Sequence, residues 1–244
     1  MILYITSSPF IDGAERPILN PANGFLARMK ADLPDNPRAL YICASPDRRD
    51  LNCLFGSHVF TSFAEAGICF SSYQILDSIN AGDASEMVAE SDFIILAGGH
   101  VPTQKAFFRE IDLDVLLQDY EGVVMGISAG SMNCAELVYA QPEWPGETLD
   151  PEYQRFLPGL GLTKINILPH YQKVKDYIID GQRLFEDVTY YDSYGHTFYA
   201  LPDGSYIYCH GEETLLLGEA YRLRNSILEL ITLDDEAISL TNMG

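Results

Sequence analysis

The feature that most constrains the fold is an alternation of short apolar runs with segments of helical periodicity. Apolar runs that predict strands open at Ile2–Thr6 and recur as far as Val123–Ile127. Segments with apolar residues at helical spacing lie between them, as in Arg49–Ala66 and Thr103–Gln118. Parallel strands need a long crossover, which is usually a helix. The order therefore predicts an α/β chain with a mostly parallel sheet and helices on both faces.

Further segments continue this pattern. Strands are also predicted at Ala39–Ala44, Ile68–Leu76 and Phe93–Leu96, and helices at Ala84–Glu90 and Asp176–Phe185. From Phe198 to Leu240 the pattern changes to short strands separated by turns. The chain has 244 residues, 47% of them hydrophobic, which suits one α/β domain or at most two small ones. We expect residues 1–244 to form one domain.

The charge and the cysteine pattern exclude several classes of protein. The 15 Lys and Arg residues stand against 35 Asp and Glu residues, and the net charge of −20 argues against nucleic acid or a membrane as partner. The five cysteines are odd in number and include no C-x-x-C pair, so neither a disulfide framework nor a zinc site is expected. Reduced thiols, and an N-terminus that predicts a strand rather than a signal peptide, indicate a cytoplasmic protein.

A serine stands where a predicted strand meets a predicted helix. The segment GISAG, residues 126–130, matches G-x-S-x-G, the pattern of a nucleophile elbow. The backbone of such a turn is crowded, so only small residues fit around the serine. Its hydroxyl then lies at a helix N-terminus, where backbone N–H groups face the reaction centre. The pattern predicts Ser128 as a nucleophile; the alternative is a glycine-flanked N-cap serine, which needs no chemistry.

A serine nucleophile needs a base, and five histidines are available. His170 follows the apolar run Ile165–Leu168 and therefore lies at a strand end, as His100 does after Gly98-Gly99. Ligands of α/β sheets bind beyond the carboxyl ends of the strands. We expect Ser128 and His170 to end adjacent strands at one edge of the sheet, with His170 as general base. The alternative for His170 is a histidine that caps a local carbonyl.

Four segments together resemble peptidase family S51, the α-aspartyl dipeptidases (peptidase E) and the related cyanophycinases. They are FIILAGGHVPTQ, GISAGS, INILPHY and LPDGSY, which are similar to the family's glycine loop, elbow, Asn-Pro-His-Phe segment and Leu-Pro-Glu-Gly segment. The resemblance runs from Phe93 to about Leu217. It implies a three-layer α/β/α sandwich with a mostly parallel sheet, of the class I glutamine-amidotransferase-like, flavodoxin-like kind. That fold usually carries cysteine at the elbow, so the serine argues against glutamine amidotransfer.

The resemblance implies roles for individual residues. Ser128 would be the nucleophile and His170 its general base. The backbone N–H groups of Gly99 and Ala129 would donate to the oxyanion. His100 stands where the dipeptidases carry Asn, so we expect it to contact the substrate and to change the preference for aspartyl dipeptides.

The acid of the triad has several candidates. The family's acid lies between the serine and the histidine, about 15 residues past the serine, and Glu143 stands at that distance. Glu147 and Asp150 are close by, and Asp203 matches the glutamate of the Leu-Pro-Glu-Gly segment, although Pro-Asp-Gly is also an ordinary turn. We expect Glu143 to be the acid, with Asp203 and Asp150 as the alternatives.

The resemblance also implies a residue for an acidic substrate group. Arg183 lies on the predicted helix after His170, where the dipeptidases carry arginines that meet an acidic side chain. A guanidinium fork suits a carboxylate, so Arg183 is expected to bind substrate. The alternative is a solvated arginine paired with Asp180 or Asp187 at helical spacing.

These residues predict a serine-type, dipeptidase E-like hydrolase that cleaves small peptides, including dipeptides with N-terminal Asp, through an acyl-enzyme on Ser128. The alternative is a catalytically inactive amidotransferase-like domain that binds a small ligand or a protein partner. An α/β-hydrolase esterase is disfavoured because His170 follows Ser128 by only 42 residues. No metal and no organic cofactor is implied. The expected partner is a small peptide substrate, and a homodimer is left open.

Overall fold

The computed structural model describes residues 1–241. Its strands are β1 Ile2–Thr6, β2 Arg38–Ile42, β3 Ser72–Leu76, β4 Phe93–Leu96, β5 Val123–Ile127, β6 Leu137–Tyr139, β7 Phe156–Pro158, β8 Asn166–Leu168, β9 Ile178–Ile179, β10 Gln182–Arg183, β11 Thr197–Ala200, β12 Tyr206–His210, β13 Glu213–Leu217, β14 Ala220–Arg224, β15 Ile227–Thr232 and β16 Ala237–Ser239. Its α-helices are α1 Phe25–Asp32, α2 Arg49–Glu65, α3 Ala84–Ala89, α4 Val101–Glu110, α5 Leu113–Leu116, α6 Ala129–Met132, α7 Tyr171–Val174 and α8 Tyr190–Asp192. Short 3₁₀ segments lie at Ala22–Gly24 and Ala81–Asp83, and a π-helical segment at Leu184–Thr189.

A large sheet organises the fold. Its eight strands follow the order β16-β13-β12-β1-β5-β4-β2-β3. The strands from β1 to β3 in this order are parallel, and β12, β13 and β16 extend the sheet in antiparallel fashion. Every residue of β4 and β5 is buried, as expected of parallel strands covered on both faces. The mixed α/β fold with a mostly parallel sheet and flanking helices is confirmed.

The flanking helices contribute aromatic side chains to the core. Phe25 of α1, Phe63 of α2 and Phe107 of α4 are all at most 2% exposed and belong to the same buried cluster as the sheet strands. Burying side chains of this size stabilises a fold by about 1.5–3 kcal/mol each. The core therefore fixes the strand ends from which the candidate site residues project.

A second sheet carries the predicted base. It has four strands in the order β15-β14-β11-β8, and it packs on a smaller cluster that includes Phe185 and Phe198. His170 follows β8, which pairs with β11, whereas Ser128 follows β5 of the large sheet. The expectation that the two residues end adjacent strands of one sheet is therefore wrong.

The predicted helix Asp176–Phe185 is also wrong. The segment forms a hairpin of β9 and β10, and its two turn residues, Asp180 and Gly181, have φ of 52° and 79°. Positive φ at both central residues defines the tight turn that Asp-Gly favours, and this preference outweighs the helical spacing of the apolar residues. The predicted helix Thr103–Gln118 is two helices, α4 and α5, which separate at Asp112 with its φ of 49°.

Across residues 1–241, no helix combines the length and the apolar character that a membrane span requires.

Candidate active site

Ser128 occupies a strained turn between β5 and α6. Its φ and ψ of 50° and −111° lie outside the regions that L-residues ordinarily adopt. Its N–H donates to the carbonyls of Thr6 and Ser7, at 3.1 and 3.0 Å, which lie at the end of the neighbouring strand β1. The G-x-S-x-G pattern predicts such an unusual backbone, and the hydrogen bonds from β1 hold it in place.

Crowding explains the glycines around Ser128. A Cβ on Gly126 would lie 2.5 Å from Ser131 Cα, and one on Gly130 would overlap the Leu96 carbonyl oxygen. A Cβ on Gly98 would lie only 3.6 Å from Ser128 Cβ. The glycine loop after β4 is therefore packed directly against the elbow.

His170 is held by its backbone as well as by its ring. The residue has φ of 57° and ψ of 31° and precedes the short helix α7. Its N–H donates to Ser7 Oγ at 2.7 Å, and its Nδ1 lies 2.7 Å from Asp203 Oδ1. Because an ionised carboxylate only accepts hydrogen bonds, Nδ1 carries the hydrogen and Nε2 of the neutral ring keeps a lone pair. Nε2 is the atom that can accept a proton.

Asp203 is a buried carboxylate with several donors. Its side chain is 5% exposed, and its oxygens accept hydrogen bonds from Ser7 Oγ at 2.9 Å and Lys173 Nζ at 2.8 Å, in addition to His170. Burial by itself raises the pKa of Asp203. The hydrogen bond and charge of His170 and the hydrogen bonds from Lys173 and Ser7 outweigh burial, and they lower the pKa well below the usual aspartate range. Asp203 is therefore ionised when it meets the His170 ring.

Ser7 is hydrogen-bonded to Ser128, His170 and Asp203 and was not predicted from the sequence. It is fully buried and directly follows β1. Its carbonyl accepts the Ser128 N–H, while its hydroxyl accepts the His170 N–H and donates to Asp203. The signal was available, because Ser7 follows a predicted strand in the same way as the glycine loop and the elbow do.

Ser128 and His170 line the same cavity, which has a volume of about 580 Å³. Gly99, His100 and Glu143 are also in its wall. Within residues 1–241, Ser128 Oγ and the His170 ring are not hydrogen-bonded to each other; a nucleophile and a base are often farther apart without substrate than with it. Two larger clefts, of about 690 and 790 Å³, contain none of these residues.

One wall of the cavity is a cluster around His100. Thr103 Oγ1 lies 2.7 Å from His100 Nδ1, and His100 Nε2 donates to the Glu147 carboxylate at 2.8 Å. The Trp144 ring stacks on the imidazole at 3.7 Å between centroids. The other Glu147 oxygen accepts the N–H groups of Glu143 and Trp144, at 2.7 and 3.0 Å. His100 therefore lines the cavity with both ring nitrogens occupied by protein.

Glu143 lies in the cavity wall and not against the base. Within residues 1–241 it makes no hydrogen bond to His170, whose Nδ1 is occupied by Asp203. The loop that carries Glu143 is fixed elsewhere, by Glu147 and by Asp180, which accepts the Gly146 N–H at 2.8 Å. Glu143 is exposed toward the cavity. Desolvation by the surrounding protein, with a smaller contribution from the charge of Glu147, raises the pKa of the Glu143 carboxyl to about 7.

Arg183 lies outside the cavity wall. It ends the β9–β10 hairpin, and its guanidinium forms a two-point ion pair with Asp187, at 2.6 and 3.0 Å. Its side chain is 60% exposed. The structure therefore places this arginine in the local pair that the sequence left as the alternative, on a hairpin rather than on a helix.

The two predicted oxyanion donors have unused N–H groups. In the described chain, neither Gly99 nor Ala129 donates its backbone N–H to a protein acceptor. Gly99 lies in the cavity wall, and Ala129 is the first residue of α6, directly after Ser128. Within residues 1–241, no group of three or more His, Cys, Asp or Glu residues is placed to hold a metal ion.

The sequence matches a family model over most of its length. Residues 28–217, more than half of the chain, match the model of peptidase family S51. This chain belongs to peptidase family S51. Membership in S51 supports a peptidase, in agreement with the resemblance found in the glycine loop, the elbow and the Pro-His segment.

Two solved structures share the fold of this S51 chain. One is a peptidase from an acI-B1 Actinobacterium, with 18% identity and a TM-score of 0.65, covering 98% of this chain and 96% of that one. The other is described as "Putative Peptidase E Protein" from Listeria monocytogenes EGD-e, with 15% identity and a TM-score of 0.60, covering 95% of this chain and 98% of that one. No curated protein matches the sequence. At these identities the likeness establishes the fold.

Proposed function

We propose that this S51 chain is a serine peptidase that hydrolyses small peptides through an acyl-enzyme on Ser128. The observation that supports this most is that Ser128 and His170 line one cavity while Asp203 accepts a hydrogen bond from His170. A nucleophile, a base and an acid that orients the base form the minimal set for acyl transfer.

Each group has a defined task in this proposal. His170 Nε2 takes the proton of Ser128 Oγ as that oxygen attacks the peptide carbonyl, and the carbonyl becomes a tetrahedral oxyanion. The N–H groups of Gly99 and Ala129 donate to the oxyanion, and each such donor is typically worth about 10²–10³ in rate. His170 then protonates the leaving amine, and the peptide bond breaks. Water, deprotonated by His170, releases the acyl group as a carboxylate and restores Ser128.

The size of the cavity supports small substrates. A volume of about 580 Å³ lies within the range of about 300–1,000 Å³ that is typical of sites for small ligands. The loop from Gln141 to Asp150, held by Glu147 and Asp180, closes one side of this space. Dipeptides and other short peptides fit these dimensions better than a folded chain does.

Hydrolysis of a dipeptide panel tests this proposal. The panel contains acidic, neutral and basic residues in both positions, including N-terminal Asp, and is assayed with wild type, Ser128→Ala and His170→Ala. We expect each variant to lose on the order of 10⁴–10⁶ in kcat, and the double variant to lose little more, because nucleophile and base act as one unit. Ser57→Ala, which removes an exposed hydroxyl that is bonded only to Leu54 O, is the matched control.

Two outcomes would count against the peptidase. Turnover by Ser128→Ala at the wild-type level would exclude Ser128 as nucleophile. No turnover by the wild type across the whole panel would favour the alternative, a domain that binds a small ligand or a protein partner without hydrolysis.

A further inference from the structure

In the described chain, the cavity wall contains an acidic side chain but no lysine or arginine. Glu143 supplies the carboxylate. An acidic substrate group would therefore meet no permanent cation there. From the sequence, Arg183 was expected to supply such a cation for an aspartyl side chain, but it is not among the lining residues.

Two nearby basic residues are engaged elsewhere. Arg183 pairs with Asp187 at 2.6 Å, outside the cavity wall. Lys173 is shared by Asp12 at 2.7 Å and Asp203 at 2.8 Å. Moving either cation into the cavity would break an ion pair already made.

The Glu143 carboxylate is available to a ligand. Within residues 1–241 it accepts no hydrogen bond and forms no ion pair, whereas its neighbour Glu147 is engaged by His100 and two backbone N–H groups. The pKa of Glu143 is raised because its carboxylate is partly desolvated and lies beside the negative charge of Glu147. A positive group brought to Glu143 would stabilise the ionised form.

The walls around Glu143 suit a long side chain with a charged end. Trp144 and Tyr177 are 53% and 55% exposed, and Met132 and Leu184 are buried apolar side chains in the same wall. Lysine and arginine bury their methylene stems on apolar surface while the charged head remains polar, and aromatic faces attract such cations. We infer that the cavity takes peptides with a lysine or arginine side chain, and that Glu143 receives its charge.

This inference rests on the proposed peptidase, because it names the substrate class of that site, but binding tests it without catalysis. Ser128→Ala protein is titrated calorimetrically with dipeptides of alanine and lysine, norleucine or glutamate, each in both positions. Norleucine keeps the lysine stem and lacks its charge. We expect lysine to bind at least about tenfold more tightly than norleucine in one position, as a charged hydrogen bond would give.

Two further variants test whether Glu143 causes the preference for lysine over norleucine. Adding Glu143→Gln should reduce the ratio of the lysine and norleucine affinities toward one, since the amide keeps the shape and loses the charge. Adding Glu152→Gln removes one negative charge from an exposed position outside the cavity wall and should leave the ratio unchanged.

Several results would overturn the inference. They are undetectable binding of lysine dipeptides, equal binding of lysine and norleucine in both positions, tighter binding of glutamate, and a ratio that survives Glu143→Gln. Any of these, together with Ser128-dependent hydrolysis in the wild type, leaves the peptidase intact and removes only the basic specificity. A lysine preference without any hydrolysis keeps the binding site and contradicts the peptidase.

Discussion

Nδ1 of His170 lies 2.7 Å from Oδ1 of Asp203, across 33 residues of sequence. The other Asp203 oxygen is occupied by Lys173 at 2.8 Å, so both ends of the carboxylate are fixed. An acid in this position sets the tautomer of the imidazole and stabilises the imidazolium that forms during acyl transfer. Asp203, rather than Glu143, has the geometry of the third triad member.

Replacing each of the two acids by its amide distinguishes the roles of Asp203 and Glu143. Asp203→Asn should lower kcat by about 10⁴, because an amide cannot stabilise the imidazolium and favours the wrong tautomer. Glu143→Gln should lower kcat far less and act mainly on substrate preference. Steady-state kinetics on one good substrate measures both, and an equal loss in the two variants would contradict the assignment.

Stability should depend on pH through Asp203. Its folded-state pKa lies below the unfolded value of about 3.9, so its interactions stabilise the fold fully above that value and are lost as pH falls further. Wild type should therefore exceed Asp203→Asn in unfolding free energy at pH 7, and the difference should shrink below about pH 4. Urea unfolding at pH 7 and pH 3 checks this. A constant difference would show that Asp203 makes no charge-dependent contribution.

Ser7 should position the base. Ser7→Ala leaves the His170 N–H without its buried partner and removes one of the donors to Asp203 Oδ1, which costs about 1–3 kcal/mol of stability. The resulting shift of His170 should lower kcat by roughly tenfold to a hundredfold, with little change in KM. Ser62→Ala, which removes another buried hydroxyl that accepts the Leu19 N–H, is the control and should lose stability without this loss of kcat. Equal kcat in the two variants would make Ser7 merely structural.

Gly130 should tolerate no side chain. The Cβ of Gly130→Ala would overlap the Leu96 carbonyl oxygen, so the elbow must shift, at a cost of about 1–3 kcal/mol or more. Gly82→Ala is the control, since nothing lies within 4 Å of its Cβ. Thermal unfolding and hydrolysis together measure the effect. A Gly130→Ala protein with unchanged stability and activity would remove the crowding argument.

The strands that carry the elbow could be predicted from sequence because their signals are local. The ranges Ile2–Thr6, Phe93–Leu96 and Val123–Ile127 agree with the structure at both ends, since buried parallel strands form continuous apolar runs. The four-stranded sheet was not predicted, because its central strand β11 pairs with β8 on one side and β14 on the other, which joins distant segments. The hairpin at Asp180-Gly181 did carry a local signal, the Asp-Gly turn, which should have outweighed helical spacing.

The candidate site was predicted in part for the same reason. Ser128, His170 and the glycine loop each lie at a strand end, where a one-dimensional pattern marks them. The carboxylate that contacts His170 could not be chosen by spacing, because Asp203 lies in a turn in a later part of the chain. Its Pro-Asp-Gly sequence is also that of an ordinary surface turn, so the sequence did not mark this aspartate as a partner of His170.

Covalent labelling tests the central claim, that Ser128 is a nucleophile activated by His170 and Asp203, most directly. The protein is treated with a fluorophosphonate, and intact and peptide mass spectrometry locate the adduct. We predict one adduct, on Ser128, that is absent in Ser128→Ala and forms far more slowly in His170→Ala and Asp203→Asn. An adduct on another residue would contradict the account. So would labelling of Ser128 at the same rate in wild type, His170→Ala and Asp203→Asn.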